Sequence, residues 1–313
     1  MIEPATASYE GRGGMPSWLV ALLAIAAFVT LLGLGWLVGP AYFRDPAYWR
    51  TFIFARGLVF ILGLIILAAI LHARGGGSTY IRRIPGLTAI DETVGRATEM
   101  GRPITFSLGL NGLDIITLQA LAVALHVVRL SIRFGTRVIL MMRNPTLYAV
   151  VDEAVNEAYT TAGRPESFNR EDVRFLSNQQ FAYASAMVGI ISRERAASNY
   201  MFGQFAAEAL IVAEAANQVG AVQVAGTPAI TQIPFFIASC DYTIIGDEYY
   251  AATAYLTREP VLSGSLVGQD RAKMLFLGMV VLGILAATAL ALINTPQAAD
   301  TLKLLKDLFS GAK

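Results

Sequence analysis

The sequence predicts an α/β fold, a doubly wound and mostly parallel sheet held between three membrane-spanning helices. Three observations predict it. Residues 13–43, 57–71 and 274–299 carry no charge at all. Between the second and third of these stretches, short apolar runs alternate with longer helical ones. The chain is also 55% hydrophobic and only 15% charged, against about 45–50% and about 25% in an average soluble domain. The apolar surplus sits in the uncharged stretches.

The spans come first. An apolar helix of about 18 or more residues crosses the ~30 Å hydrocarbon core. Ser17–Gly39 and Met274–Ile293 meet that length. Phe52–His72 meets it too, with Arg56 near enough to its end to snorkel to the headgroups. The tail before the first span sets Glu3 and Glu10 against Arg12, and the run exceeds the ~7–15 apolar residues of a signal peptide. It reads as a permanent anchor. Gly35 and Gly39 give that span a G-x-x-x-G spacing, which lets helices approach closely. The spans are otherwise almost free of polar residues, which argues for tethering rather than for an ion or solute pathway.

Two spans before the polar region and one after it put the N-terminus and the central region on one side. Arg12, Arg74, Arg82, Arg83, Arg271 and Lys273 flank the spans there, against Arg44, Arg50, Lys303, Lys306 and Lys313 opposite. The positive-inside rule then sets the domain in the cytoplasm, at a bacterial inner membrane. Cys240 is the one cysteine, in keeping with a reducing compartment.

The organisation that follows has seven parts. These are a tail (1–16), two spans (17–72), a linker and membrane-proximal segment (73–102) that includes GGGST (75–79), the α/β domain (103–257), a second linker (258–273), the third span (274–293) and an amphipathic C-terminal helix (294–313). In that last helix Leu302, Leu304, Leu305, Leu308 and Phe309 gather on one side and Asp300, Lys303, Lys306 and Asp307 on the other. It suits a membrane interface.

Within the domain, strands are expected at PITFSLGL (103–110), TRVILMMR (136–143), VRFLS (173–177), ASNYMFG (197–203), AVQVAG (221–226) and DYTIIG (241–246). Helices are expected at Asp114–Phe134, Pro145–Ala162, Gln179–Arg193, Ala206–Val219, Ile230–Ala238 and Asp247–Leu256. Strands that are apolar throughout are those covered on both faces. Their alternation with helices makes the domain Rossmann-like. One domain fits this better than two split at the polar loop 163–172.

The search for chemistry finds mostly absences. The two histidines, His72 and His126, fall at the end of a span and in an apolar helix. Neither sits at a strand-to-helix joint, which leaves a histidine triad without support. One cysteine and two separated histidines leave zinc and iron–sulfur centres without ligands, and no metal or cofactor is expected. Residues 80–272 hold 15 arginines and no lysine against 18 acidic residues, so no basic face for nucleic acid is expected.

Ligands of open α/β sheets bind at the carboxyl ends of the strands. The polar residues expected there are Asn111, Asp114, Arg143, Asn144, Glu208, Thr227 and Asp247, with Arg143 suited to a carboxylate or phosphate. They form the candidate ligand rim, although helix starts also collect such residues as ordinary caps. GLNGLD (109–114) reads G-x-x-G-x-D. Asp114 replaces the third glycine of the dinucleotide fingerprint, and a carboxylate at a helix start repels phosphate. Phe235, Phe236, Tyr249, Tyr250 and Tyr255 form an aromatic group suited to a protein interface.

IPGLTAIDETVGRATEMGRPITF (84–106), VRFLSNQQFAYA (173–184) and QVAGTPAITQIPFFIASCDYTIIGDEYYAATAYL (223–256) resemble an uncharacterised bacterial family of membrane-anchored α/β proteins, grouped as a domain of unknown function. The resemblance spans about residues 80–290 and brings no activity or site residue with it. The expectation from the whole sequence is a membrane-anchored scaffold or assembly subunit of a membrane complex. It would lie in a lipid bilayer, self-associate and have no catalytic activity of its own. The alternative is a small-molecule or nucleotide sensor or enzyme using the strand-end rim.

Overall fold

The structure is a computed structural model that describes residues 46–76, 84–257 and 259–293, with the backbone alone for 46–54. The first span, Ser17–Gly39, and the amphipathic tail, 294–313, lie outside the described residues. Two compact units form, Met1–Tyr80 with Pro260–Lys313, and Ile81–Glu259.

In the second unit six strands make one all-parallel sheet, β1 Ile104–Ser107, β2 Val138–Met142, β3 Val173–Phe175, β4 Ser198–Phe202, β5 Val222–Thr227 and β6 Tyr242–Ile245. The order across it is β3-β2-β1-β4-β5-β6. The chain winds outward from β1 in one direction, returns, and winds outward from β4 in the other. That is the doubly wound, Rossmann-like topology. All six strands coincide with the apolar runs of the sequence.

Alternation along the strands divides the interior in two. Ile104, Phe106, Leu140, Tyr200, Phe202, Val224 and Ile244 face one core, while Ile139, Met141, Met201 and Ala225 face the other. The first core is covered by α2 (Pro85–Met100), α3 (Ile115–Phe134), α4 (Pro145–Thr161) and α8 (Asp247–Thr257). Aromatic rings dominate it, with Phe106 5.6 Å from Tyr200 and 5.4 Å from Phe202, and Tyr249 of α8 6.4 Å from Phe202.

The second core lies under α5 (Gln180–Glu194), α6 (Glu208–Gln218) and α7 (Ile233–Ser239). Here the sheet is polar at its centre. Thr105, Asn199 and Gln223 stand in register across β1, β4 and β5. Thr105 Oγ1 donates to Asn199 Oδ1 at 3.0 Å, and Gln223 Nε2 donates to the carbonyls of Ala213 and Ser239 at 3.0 and 3.2 Å. A buried polar group without such a partner costs about 1–3 kcal/mol.

Two segments differ from the sequence reading. The linker expected at 73–102 contains α2, whose Leu87, Ile90, Val94 and Ala97 are buried at helical spacing. Its Thr93 hydroxyl hydrogen-bonds the buried Tyr200 hydroxyl. The linker expected at 258–273 is helical from Pro260 onward, the start of the long α9 (Pro260–Ile293). A polar sequence around Gln269–Lys273 masked that continuity.

In the first unit α1 (Pro46–Arg74) packs against α9 in antiparallel fashion. The contact rests on Gly264 and Gly268. A Cβ on Gly264 would lie 2.7 Å from Ile70 Cα, and one on Gly268 would lie 2.7 Å from Ile66 Cα. Ala69 and Ala73 face them from α1, so small residues on both helices bring the backbones together. This G-x-x-x-G pair lies in the segment read from sequence as a linker.

Three described helices are long and apolar enough to cross a membrane, Ala55–Arg74, Ile115–Phe134 and Pro260–Leu292. The middle one is α3. Half of its window is buried inside the domain, and Val123, Ala124, Val127 and Val128 pack in the core, so its apolarity serves the sheet.

Replacing Gly268 with leucine is expected to part α1 from α9 and lower stability by roughly 1–3 kcal/mol. Gly278→Leu, at a site with no atom within 4 Å of its Cβ direction, leaves stability unchanged. Thermal unfolding of the detergent-solubilised chain compares the two.

Candidate functional site

The strand order reverses between β1 and β4, and at such a switch point the connections diverge and leave a crevice at the carboxyl end of the sheet. The turns that border it are 108–114 after β1 and 203–207 after β4.

These two turns touch. Leu110 N–H donates to Gln204 O at 2.8 Å, and Asn111 Nδ2 donates to Gln204 Oε1 at 2.8 Å. Gly109 and Gly203 make the approach feasible, with φ of +79° and +127°. A Cβ on Gly109 would fall 2.7 Å from Gln204 O, and one on Gly203 would fall 2.7 Å from Leu108 O. The two glycines lie against each other's strand-end backbone, and the two turns are bonded to each other across the switch point.

The rim residues are committed around this contact. Asp114 is the N-cap of α3, its Oδ1 accepting from Thr117 N–H at 2.8 Å and its Oδ2 accepting from the Asn111 amide. Burial pushes the Asp114 carboxyl up, but the hydrogen bonds from Thr117 and Asn111 outweigh it and hold the pKa below its ordinary value. Asn144 caps α4, its Oδ1 accepting from Thr146 N–H at 2.8 Å. Arg143 donates to the carbonyls of Asn178 at 2.9 Å and Leu110 at 3.2 Å, tying together the turns after β1, β2 and β3. Glu208 is fully buried. It accepts from Ala206 N–H at 2.8 Å and from the Gln180 amide. Thr227 Oγ1 accepts from Ala229 N–H at 3.2 Å. Asp247 begins α8.

The structure therefore gathers Asn111, Asp114, Arg143 and Asn144 around the turns after β1 and β2. Glu208 is set apart with Gln180, and Thr227 and Asp247 belong to the β5 and β6 ends. The hydrogen bonds that hold Asp114, Arg143, Asn144, Glu208 and Thr227 run to the protein's own backbone or amides.

Sequence reasoning missed Tyr183. Its buried hydroxyl donates to Met141 O at 3.1 Å and sits 2.8 Å from Ser107 Oγ, which in turn accepts from Gly109 N–H at 3.4 Å. Burial pushes this phenol well above its ordinary pKa, so it stays a neutral donor. A tyrosine on the inward side of a helix's first turn was the available signal.

Of the aromatic group, Phe236 and Tyr249 lie in the two cores at 1% exposure each. Tyr249 donates to Ile116 O at 2.7 Å, and Tyr255 packs partly buried on the same core. Alternation within α7 and α8 turns these rings inward and leaves Phe235 and Tyr250 exposed.

Two cavities open elsewhere. A groove of about 640 Å³ runs beside edge strand β3, lined by Tyr148, Arg170, Val173 and Phe175. A recess of about 270 Å³ lies at the amino end, lined by Gly135, Arg137, Tyr159 and Asp172. There Arg137 pairs with Asp172 at 2.6 Å and with Glu194 at 3.1 Å. Among the described residues no group of three His, Cys, Asp or Glu side chains converges on a metal position.

Gly109→Ala is expected to destabilise the fold by at least about 1–2 kcal/mol, the penalty of a left-handed backbone for a residue with a Cβ, read by chemical denaturation. The lowered pKa of Asp114 gives a pH dependence of known sign. Its stabilisation is complete above the ordinary value of 3.8 and is lost as pH falls below that toward the folded value. Asp114→Asn keeps a capping oxygen and flattens that acid limb, which melting curves between pH 5 and pH 3 measure.

No curated protein and no solved structure matches the chain. A family model matches residues 46–298, from α1 through the sheet domain to the end of α9. Most of the chain lies inside that match, and it belongs to the family described as Domain of unknown function (DUF6754).

Proposed function

We propose that the chain is a membrane-anchored α/β scaffold that associates with copies of itself or with other subunits of a membrane complex, and that its domain works by contact rather than by catalysis. One observation carries the reading. At the switch point, where a doubly wound domain ordinarily takes its ligand, the Gly109 and Gly203 turns are bonded to each other. Asp114, Arg143 and Glu208, the residues best suited to grip a ligand, are spent on the protein's own N–H and C=O groups.

The same reading sets the anchors in a bacterial inner membrane with the domain on the cytoplasmic side. Arg74, Arg271 and Lys273 near the domain-side ends of the spans support that orientation, as does the lack of any partner cysteine for Cys240.

Two measurements on the full chain in detergent test it. Light scattering is expected to give a mass above that of the monomer. Thermal unfolding against a panel of nucleotides and small metabolites is expected to show no ligand-dependent rise. A rise of several degrees that Arg143→Ala abolishes overturns the scaffold reading in favour of a sensor or enzyme.

A further inference from the structure

The carboxyl end of the sheet carries large exposed apolar side chains at its helix starts. Helix first turns ordinarily carry Asp, Glu, Ser and Thr, which suit the free N–H groups and the dipole. In this domain the first turns of α3, α6 and α7 expose Ile115, Ile211 and Phe235, and that of α5 exposes Phe181. The turns feeding α3 and α7 add Leu113 and Ile230. These six side chains are between 44% and 82% exposed. Since every helix of a parallel sheet starts at the carboxyl end of the strand before it, they share one end of the domain, here named the collar.

We propose that this collar is a docking face for a second copy of the chain, the two collars meeting about a two-fold axis. The proposal rests on the scaffold reading and names its contact surface. Area is the first argument. Aromatic side chains bury about 150–250 Å² each when fully covered, and leucine and isoleucine less, so six exposed to this degree present at most on the order of 700 Å² between them. That approaches the ~800 Å² one partner gives to a standard interface.

Charge is the second argument. An apolar face that meets an anionic bilayer is flanked by basic residues. Here Asp247 and Glu248 stand in the first turn of α8 at the collar end, while Arg133, Arg137 and Arg193 stand at the opposite end, in the last turns of α3 and α5 and at the start of β2. Arg143 and Asp114, the charges nearest the collar's centre, are held by internal hydrogen bonds. A centre whose charges are already satisfied is complementary to itself, as an isologous contact requires.

The test uses the full chain in lipid nanodiscs and in detergent. Ile115→Glu with Ile230→Glu, and Phe181→Glu separately, are expected to raise the dissociation constant of the assembly at least tenfold. Phe134→Glu, at an equally exposed site on the last turn of α3, leaves it unchanged. Ile115→Cys in a Cys240→Ser background gives a milder readout, and a short bis-maleimide is expected to join two copies through the introduced thiols.

Assembly that survives all collar variants, with no cross-link, overturns this inference and leaves the scaffold reading standing. A chain that is monomeric in both media overturns self-association altogether. An introduced thiol that is shielded by lipid, or by a different protein, without cross-linking assigns the collar to that partner and overturns the proposal.

Discussion

The backbone contact between the turns after β1 and β4 governs the carboxyl end of this domain. At the switch point of a doubly wound sheet the two connections normally part. Here they meet, because Gly109 and Gly203 adopt positive φ and carry no Cβ where the partner backbone passes. The consequences follow in order. Leu110 N–H is taken by Gln204 O, and the Asn111 amide is held between Gln204 and Asp114. Asp114 is aimed at the first turn of α3, and the Leu110 carbonyl is presented to Arg143. Gly109 N–H also reaches Ser107, which links the turn to the buried Tyr183 hydroxyl beneath it. A position where other folds hold a phosphate has become a junction that ties strands β1, β2 and β4 together.

The two faces of the sheet reinforce that junction by different chemistry. On the α2–α3–α4–α8 face, Phe106, Tyr200, Phe202 and Tyr249 form a continuous run of rings, a dense and non-directional contact. On the α5–α6–α7 face, Thr105, Asn199 and Gln223 cross the central strands as a polar row. Directional bonds discriminate between registers, because a one-residue slip would turn each of these side chains toward the rings. The aromatic face holds the larger of the two buried clusters, and the polar row helps fix the strand alignment that brings Gly109 and Gly203 level.

Much of this was legible in the sequence, and the limits have physical causes. All six strands were readable because a strand covered on both faces must be apolar throughout. A polar cap from Asp114 or Asn111 was readable at the start of α3 because capping is local, and the structure uses Asp114. The turn-to-turn contact was not readable. It joins Gly109 to Gly203, far apart in the chain, and no local pattern reveals which two glycines will meet. The G-x-x-x-G contact of Gly264 and Gly268 was hidden because Gln269–Lys273 resembles a linker, whereas the helix runs through it. The interior positions of Phe236 and Tyr249 were hidden because aromatic clusters look alike in sequence whichever way the helix turns them. Asn111, Asp114, Arg143 and Asn144 stand in the turns after β1 and β2. Their side chains turn toward neighbouring groups of the protein, a choice made by tertiary contacts.

The proposed membrane anchoring would alter how much contact the proposed assembly requires. Association in solution carries a large entropic cost, roughly 4–15 kcal/mol, for lost translation and rotation. Copies held in one bilayer have already given up one dimension of translation and most of their tilt freedom, so tethering raises their effective concentration for each other. Against that smaller cost, the proposed face, modest for a pair of free proteins, would need to supply less contact than a standard interface does. The same logic accounts for an apolar ring around an internally satisfied polar centre. Unpaired polar groups buried in an interface would oppose docking, whereas Asp114, Arg143 and Glu208 are already bonded before any partner arrives. The turn-to-turn contact and the exposed collar are thus two sides of one arrangement. The strand ends turn polar groups such as Asp114 and Glu208 inward to hold the fold, and the first turns of the helices leave Ile115, Ile211 and Phe235 outward.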